Sequence, residues 1–259
     1  IYAPKRSFKI LQKKLNYILS LFYNVKNPVH GFVKDKSIIT NANLHLNKKL
    51  ILNIDLEDFF LTINQGRVFG IFRNKPFNFS ILISKLLVKM CCALNITPQG
   101  APTSPIISLF GCRSLDNDLP HVANIFHCTY SRYADDITIS SDSWIQPDVY
   151  ECIKTKLQSM GLQINEKKTY YANKSKQRVV TGVVIDNNNN SLSIGWRKYK
   201  QLKGEVYKFL VYDEVAESKL SGKDKLIGKL AYLKSIDPNR YQSLKTAFKK
   251  YKNFERLFY

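Results

Sequence analysis

The chain has no apolar run approaching the ~20 residues that a membrane-spanning helix needs, and no basic start followed by a short apolar core. That excludes a membrane partner of the spanning kind and a secretory leader within the stretch given. Cysteine is sparse: Cys91, Cys92, Cys112, Cys128 and Cys152 are odd in number and show no C-x-x-C spacing. The pattern argues against a zinc ribbon or a disulfide framework and for reduced, mostly buried thiols in a cytoplasmic protein. No internal repeat is visible. The start lacks Met, and Ile1-Tyr2-Ala3-Pro4 reads as mid-chain, so the expectation is that residues upstream are missing. Acidic residues are scarce: 20 Asp and Glu stand against 40 Lys and Arg, for a net charge of +20. A field of that size concentrates polyanions, and nucleic acid or an anionic surface is the implied partner.

What is present is enough to fold. With 259 residues, 44% hydrophobic and 12% aromatic, the chain can bury a core distributed over two or three lobes. Apolar positions at helical spacing predict an amphipathic helix over residues 8–23, broken by Asn24 to Pro28. Residues 31–40 read as irregular or short strand. Leu50 to Ile54 is a nearly continuous apolar run, as expected of a central strand covered on both faces, and it ends in Asp55. Residues 65–95 read as mostly helical. Pro98, Pro102 and Pro105 with Gly100 punctuate the chain before a helix over 106–116. Residues 121–140 read as a hairpin, a helix over 147–160 closes on Gly161, and a strand follows at 162–164. Residues 179–185 and 191–194 suggest a second hairpin with a loose asparagine-rich loop. From Trp196 onward lysines, arginines and aromatics alternate at helical spacing, which predicts a small basic helical lobe.

The chemistry centres on Tyr133-Ala134-Asp135-Asp136, placed at a hairpin tip between β-branched and aromatic runs. Taken alone, two aspartates in a turn are a common surface feature. If Asp55 ends a strand of the same sheet, three carboxylates converge. Hard divalent cations with oxygen ligands suit such a set. Two Mg²⁺ ions ~3.5–4 Å apart would activate a 3′-hydroxyl and steady a leaving pyrophosphate.

The order of these features resembles the palm of reverse transcriptases: strand with Asp55, Pro98-Gln99-Gly100 with Ser104-Pro105, Tyr133-Ala134-Asp135-Asp136, then Gly161 and Lys167-Lys168-Thr169. Asn41-Ala42 with His45 resembles the N-A-x-x-H box of retron enzymes, and Val180-Thr181-Gly182 resembles their V-T-G box. The resemblance implies an α+β right hand: fingers over 1–48, an RRM-like palm over 49–195 (antiparallel sheet with helices on one face, fingers helices inserted at about 65–95) and a basic helical thumb over 196–259. It implies a bacterial RNA-directed DNA polymerase that uses dNTPs and two Mg²⁺ ions. Such an enzyme copies a structured noncoding RNA into the DNA of a branched RNA–DNA hybrid, with antiphage defence and an effector protein encoded nearby.

Residue by residue, the resemblance makes Asp55, Asp135 and Asp136 catalytic metal ligands, with the Leu56 carbonyl a further candidate. Phe60 is a steric gate against a ribose 2′-hydroxyl or else a core phenylalanine. Gln99 and Gly100 line the nucleotide and template pocket. Lys168 or Lys167 lies near the leaving phosphate or is solvated, and Glu57 and Asp58 are not ligands. Asn41, His45, Val180, Thr181 and Gly182 are RNA contacts or family markers. The first two also read as a helix cap and a half-buried histidine. Two readings compete: a group II intron-like or abortive-infection reverse transcriptase, and a catalytically idle RNA-binding scaffold.

Overall fold

The computed structural model describes residues 4–212 and 219–258. The expectation about Ile1 to Ala3, and the part of the C-terminal helical lobe at 213–218, lie outside them. Two compact units are present, residues 1–173 and 174–259.

In the first unit, α1 (Arg6–Leu21) buries Gln12, Leu15 and Leu19, one stripe of an amphipathic helix. α2 (Ile38–Asn43) starts where the Ser37 hydroxyl accepts from the Ile39 and Thr40 amides and the Ser37 amide donates to the Thr40 hydroxyl. This reciprocal cap satisfies donors that a helix start otherwise leaves orphaned. Ser37 is therefore the cap, and Asn41, read as a cap from sequence, lies inside the helix. Then follow β1 (Leu50–Glu57), α3 (Phe59–Thr62), α4 (Gln65–Arg73), α5 (Ile81–Cys91), α6 (Ser104–Gly111) and α7 (Leu115–Ile125). β2 (Thr129–Tyr133), β3 (Asp136–Ser141), α8 (Pro147–Ser159), β4 (Gln163–Ile164) and β5 (Tyr170–Ala172) complete the unit.

β1 is the central strand of an antiparallel five-stranded sheet. β3 pairs along one edge and β2 lies beyond it, while β5 and β4 share the other edge. Residues directly opposite in an antiparallel pair share a face, so Leu52 with Ile139 and Ile54 with Ile137 form one apolar layer. It packs with Leu115 and Leu119 of α7 and Val149, Ile153 and Leu157 of α8 in a single core. Each such aliphatic side chain contributes about 1.5–3 kcal/mol on burial. The other face carries Ile51, fully buried, and then Asn53 and Asp55, both half-buried. β1 is thus covered on both faces at its start, as expected, and its second face opens only toward Asp55.

The hairpin is shorter than residues 121–140, because α7 runs through Pro120 to Ile125. Leu115, Leu119 and Ala123 recur at four-residue spacing and are buried. That stripe favours helix over strand. Gly161 has φ +60 and ends α8 as expected.

In the second unit, β6 (Arg178–Val180), β7 (Val183–Ile185) and β8 (Leu192–Ser193) form a three-stranded antiparallel sheet. Residues 179–185 are two strands rather than one. Thr181 and Gly182 both have positive φ, +48 and +79, the requirement of a tight two-residue hairpin turn. The asparagine loop is not loose either. The Arg178 side chain is fully buried and donates to Asn187 Oδ1 at 2.8 Å and Asn190 Oδ1 at 3.2 Å, so the loop wraps a guanidinium. α9 (Trp196–Tyr212), α10 (Lys219–Ile236), α11 (Pro238–Phe248) and α12 (Glu255–Phe258) follow. The aromatics divide: Tyr241, Phe248 and Phe254 are core, while Trp196 and Tyr207 are exposed.

Candidate active site

The register of the sheet places Asp55 of β1 directly opposite Asp136 of β3. Both therefore stand on the face away from α7 and α8. Asp135 lies in the two-residue loop joining β2 to β3, and its carbonyl accepts from the Leu56 amide at 3.2 Å. One strand end and one hairpin tip thus hold all three aspartates, each half-buried. Leu56 faces the core with its side chain, as its parity with Leu52 and Ile54 requires. Glu57 and Asp58 are exposed.

The electrostatics are those of crowded anions. Burial, then the charges of Asp135 and Asp55, push the Asp136 carboxyl up to about 6. Burial and the neighbouring Asp55 also raise Asp135. Lys168 Nζ stands 3.3 Å from Asp55 Oδ2 and offsets part of this repulsion. Its loop is fixed locally: the Asn165 amide donates to the Asp55 carbonyl at 2.8 Å, and the Lys168 amide to the Asn165 carbonyl at 3.1 Å. The turn that carries the lysine is therefore bonded to the strand that carries the aspartate.

Among the described residues, no three His, Cys, Asp or Glu side chains are arranged so that together they could hold a metal ion. The donor set still fits Mg²⁺. All donors are hard oxygens, and the raised proton affinity of Asp135 and Asp136 marks an uncompensated negative site. Mg²⁺ is bound through one or two carboxylates, retained waters and substrate phosphates rather than a complete protein cage.

The remaining candidates are placed as follows. Phe60, half-buried, has its ring centroid 5.3 Å from Phe59 and 6.2 Å from the exposed Phe32. Gln99 and Gly100 are exposed on a loop held down by Ser104, whose buried hydroxyl donates to the Pro98 carbonyl at 2.6 Å. Gly100 has φ +104, a conformation that favours glycine. Lys167 is exposed. In the second unit Val180 is buried, while Thr181 and Gly182 form the turn at the surface.

Asn41 and His45 are fully buried. That corrects both the reading of them as RNA contacts and the reading of a half-buried histidine. The His45 ring bridges two strands, Nδ1 to Ser140 Oγ and Nε2 to Ser131 Oγ, both at 2.7 Å. Ser131, Thr138 and Ser140 share the face of Asp136, so His45 ties the end of α2 to the sheet behind the carboxylates. Burial pushes its imidazole down to about 3, with His30 and Lys48 as lesser causes. The folded value lies below the unfolded one. Stability from this residue is therefore full above about pH 6.5 and is lost as pH falls toward 3. We expect acid to cost up to about 1.4 kcal/mol per pH unit from His45 in that window. His45→Gln should remove this slope in urea unfolding at pH 7, 6 and 5, whereas equal slopes would mean that the ring is solvated.

Four residues escaped sequence reasoning. Gly31 is packed so closely that a Cβ there would lie 2.4 Å from the Ala134 nitrogen. Its segment runs beside β2: the His30 amide donates to the Arg132 carbonyl at 2.9 Å, and the Arg132 amide to the Pro28 carbonyl at 2.8 Å. Arg132 and Asp116 form an ion pair with no side-chain exposure. A charged residue at a core-facing strand position is the one signal that could have exposed it. Tyr170 of β5 lies opposite Asn53 and is 44% exposed, and partial burial, then the Asp136 charge, raises its phenol. Ala134 itself has φ +57, a left-handed conformation costing a non-glycine residue about 1–2 kcal/mol.

The family described as "Reverse transcriptase (RNA-dependent DNA polymerase)" matches residues 1–185. Retron Ec86 reverse transcriptase of Escherichia coli is 36% identical over 252 residues, covering 96% of this chain and 75% of the relative. Retron Ec83 reverse transcriptase of Escherichia coli is 30% identical over 256 residues, 92% of this chain and 78% of the relative. Retron Mx65 reverse transcriptase of Myxococcus xanthus is 27% identical over 261 residues, 94% of this chain and 60% of the relative. Among solved structures, telomerase from Candida albicans with a fragment of telomeric RNA aligns at TM-score 0.46 and 14% identity, covering 93% of this chain and 48% of that one. No described helix is long and apolar enough to cross a membrane.

Proposed function

Because the chain belongs to the reverse transcriptase family of RNA-directed DNA polymerases, within its retron branch, we propose that it copies a cognate structured RNA into DNA at the tip of the β2–β3 hairpin. The observation that carries this reading is Asp55 opposite Asp136, with Asp135 beside them and Lys168 3.3 Å from Asp55. Asp55, Asp135 and Asp136 would hold two Mg²⁺ ions, with the Leu56 carbonyl a further donor; bound there, they acidify a primer hydroxyl and neutralise phosphate charge in an in-line displacement.

The residues of the chain do the rest. The carboxylates are anchored by strand pairing, so little reorganisation accompanies reaction. Lys168, exposed on its loop and 3.3 Å from Asp55, would meet the departing pyrophosphate and give it a proton or a counter-charge. Phe60, backed by Phe59, presents a ring to the sugar and disfavours ribonucleotides. Gln99 and Gly100 form the wall on which the incoming base rests. The exposed Trp196 and Tyr207 with nearby lysines supply stacking and phosphate contacts for RNA.

At the level of the system, the reading is cytoplasmic synthesis of a branched RNA–DNA hybrid in a bacterial retron, serving antiphage defence with an effector protein encoded nearby. The presence of the three aspartates disfavours the idle scaffold. Nucleic acid isolated from cells carrying the native locus should contain DNA joined to RNA through a 2′,5′ branch that ribonuclease leaves intact. Unbranched DNA copies alone would favour the intron-like or abortive-infection alternatives.

Lys168→Met is expected to lower single-turnover dNTP incorporation by about 10²-fold, the low end of what general acid catalysis contributes. Lys168→Arg, which keeps the positive charge, should recover part of the rate. An unchanged rate would return Lys168 to the solvated surface.

A further inference from the structure

We propose that Arg132 and Asp116 form a buried clamp that positions the Ala134-Asp135-Asp136 turn for metal binding, a role that rests on the polymerase reading. Arg132 sits on the core face of β2, opposite Ile137 and away from the carboxylates. Each of its three nitrogens donates a hydrogen bond. Nε donates to Asp116 Oδ1 at 2.7 Å and Nη2 to Asp116 Oδ2 at 2.5 Å, a two-pronged pairing with a carboxylate on α7. Nη1 turns back along its own strand and donates to the Ala134 carbonyl at 2.8 Å. The Tyr130 hydroxyl donates to Asp116 Oδ1 at 3.3 Å and takes up a further lone pair.

Stability does not explain this arrangement, because a buried ion pair is often matched or exceeded by a well-packed apolar pair of the same volume. What an apolar pair cannot supply is the third guanidinium bond. That bond fixes the carbonyl of Ala134, which is held at φ +57 one residue before Asp135. Gly31 presses on the amide side of the same residue, 2.4 Å from its nitrogen if a Cβ were added. The turn is gripped at its amide and at its carbonyl, and Asp135 and Asp136 project from a peptide unit with little freedom. Asp116, on the first turn of α7 and without side-chain exposure, sets the guanidinium. Helix α7 thereby reaches the metal face through one side chain. Lysine could neutralise Asp116 but could not make the forked contact and the Ala134 bond together.

Asp116→Val combined with Arg132→Met removes the clamp with little change of volume and leaves no unpaired charge. The expected result on the full chain is a folded protein with unchanged thermal midpoint or a higher one. Primer-extension kcat should fall about 10²-fold, as for a displacement near 1 Å at a reacting centre. KM for dNTP and RNA affinity should stay within about threefold. Mn²⁺ binding without nucleotide, read by electron paramagnetic resonance, should weaken about tenfold. Arg132→Lys, which keeps the buried charge pair, should lose less rate than the double variant but more than threefold, and it decides the question if the double variant does not fold. Wild-type kcat and Mn²⁺ affinity in either folded variant would overturn the clamp. If the wild type extends no primer, the polymerase reading fails separately, and the Mn²⁺ titration alone decides: equal affinity in variant and wild type overturns the clamp, and weaker affinity sustains it.

Discussion

Asp136→Asn is expected to lower nucleotide incorporation by about 10³-fold while RNA affinity stays within about threefold. Several kcal/mol of charge stabilisation depend on a metal-binding carboxylate, and each 1.4 kcal/mol is a factor of ten in rate. The same substitution should make the metal-free protein more stable. Asp136 titrates near 6 when folded because burial and the charges of Asp135 and Asp55 oppose its ionisation. Its folded value is raised, so stability is full below about pH 4 and is lost as pH rises through 6. Asparagine escapes that penalty. Allowing for screening of a partly exposed group, about 1 kcal/mol should be recovered at pH 8 without divalent metal, or about 2–4 °C in Tm, and almost none at pH 4. Calorimetry at the two pH values checks this. A variant less stable at pH 8 would show that the carboxylate serves the fold, not a cation.

Gly31→Ala carries the second large effect. Its Cβ would meet the Ala134 nitrogen at 2.4 Å and the Tyr133 carbonyl carbon at 3.0 Å, both backbone atoms that no rotamer change can move. Either the 28–32 segment or the hairpin tip must shift. Overpacking of this kind costs about 1–3 kcal/mol, and displacement of the carboxylates by ~1 Å should lower kcat about 10²-fold. Gly70→Ala is the control. It lies in α4 with nothing within 4 Å of an added Cβ. There alanine should be neutral or stabilising by up to about 1 kcal/mol, with activity unchanged. Equal behaviour of the two variants in thermal melts and primer extension would mean that the approach at Gly31 is not rigid.

The candidate site was legible in sequence wherever its signal was local. An apolar run ending in Asp55 and alternation flanking Tyr133 to Asp136 are short-range patterns, and both produced the strands expected of them. Gly161 ended its helix because only a residue at ease with positive φ fits there. The failures share a physical cause. Thr181-Gly182 lies within a continuous β-branched run, and the pattern cannot show that the chain reverses there. His45 gave no sign that its partners would be serines 86 and 95 residues away. Arg132 needed a partner on a helix whose first half sat in one expected element and whose second half sat in another. Pairings between distant elements are set by packing of the whole unit, and sequence periodicity carries almost nothing about them.

The most direct measurement is primer extension by the purified chain on an RNA template with dNTPs and Mg²⁺, run beside Asp55→Asn. The expected product is DNA: resistant to ribonuclease, sensitive to deoxyribonuclease, absent with chelator, and reduced about 10³-fold in the variant. Wild-type protein that binds the RNA yet makes no more DNA than Asp55→Asn would contradict the assignment of Asp55, Asp135 and Asp136 as a polymerase centre.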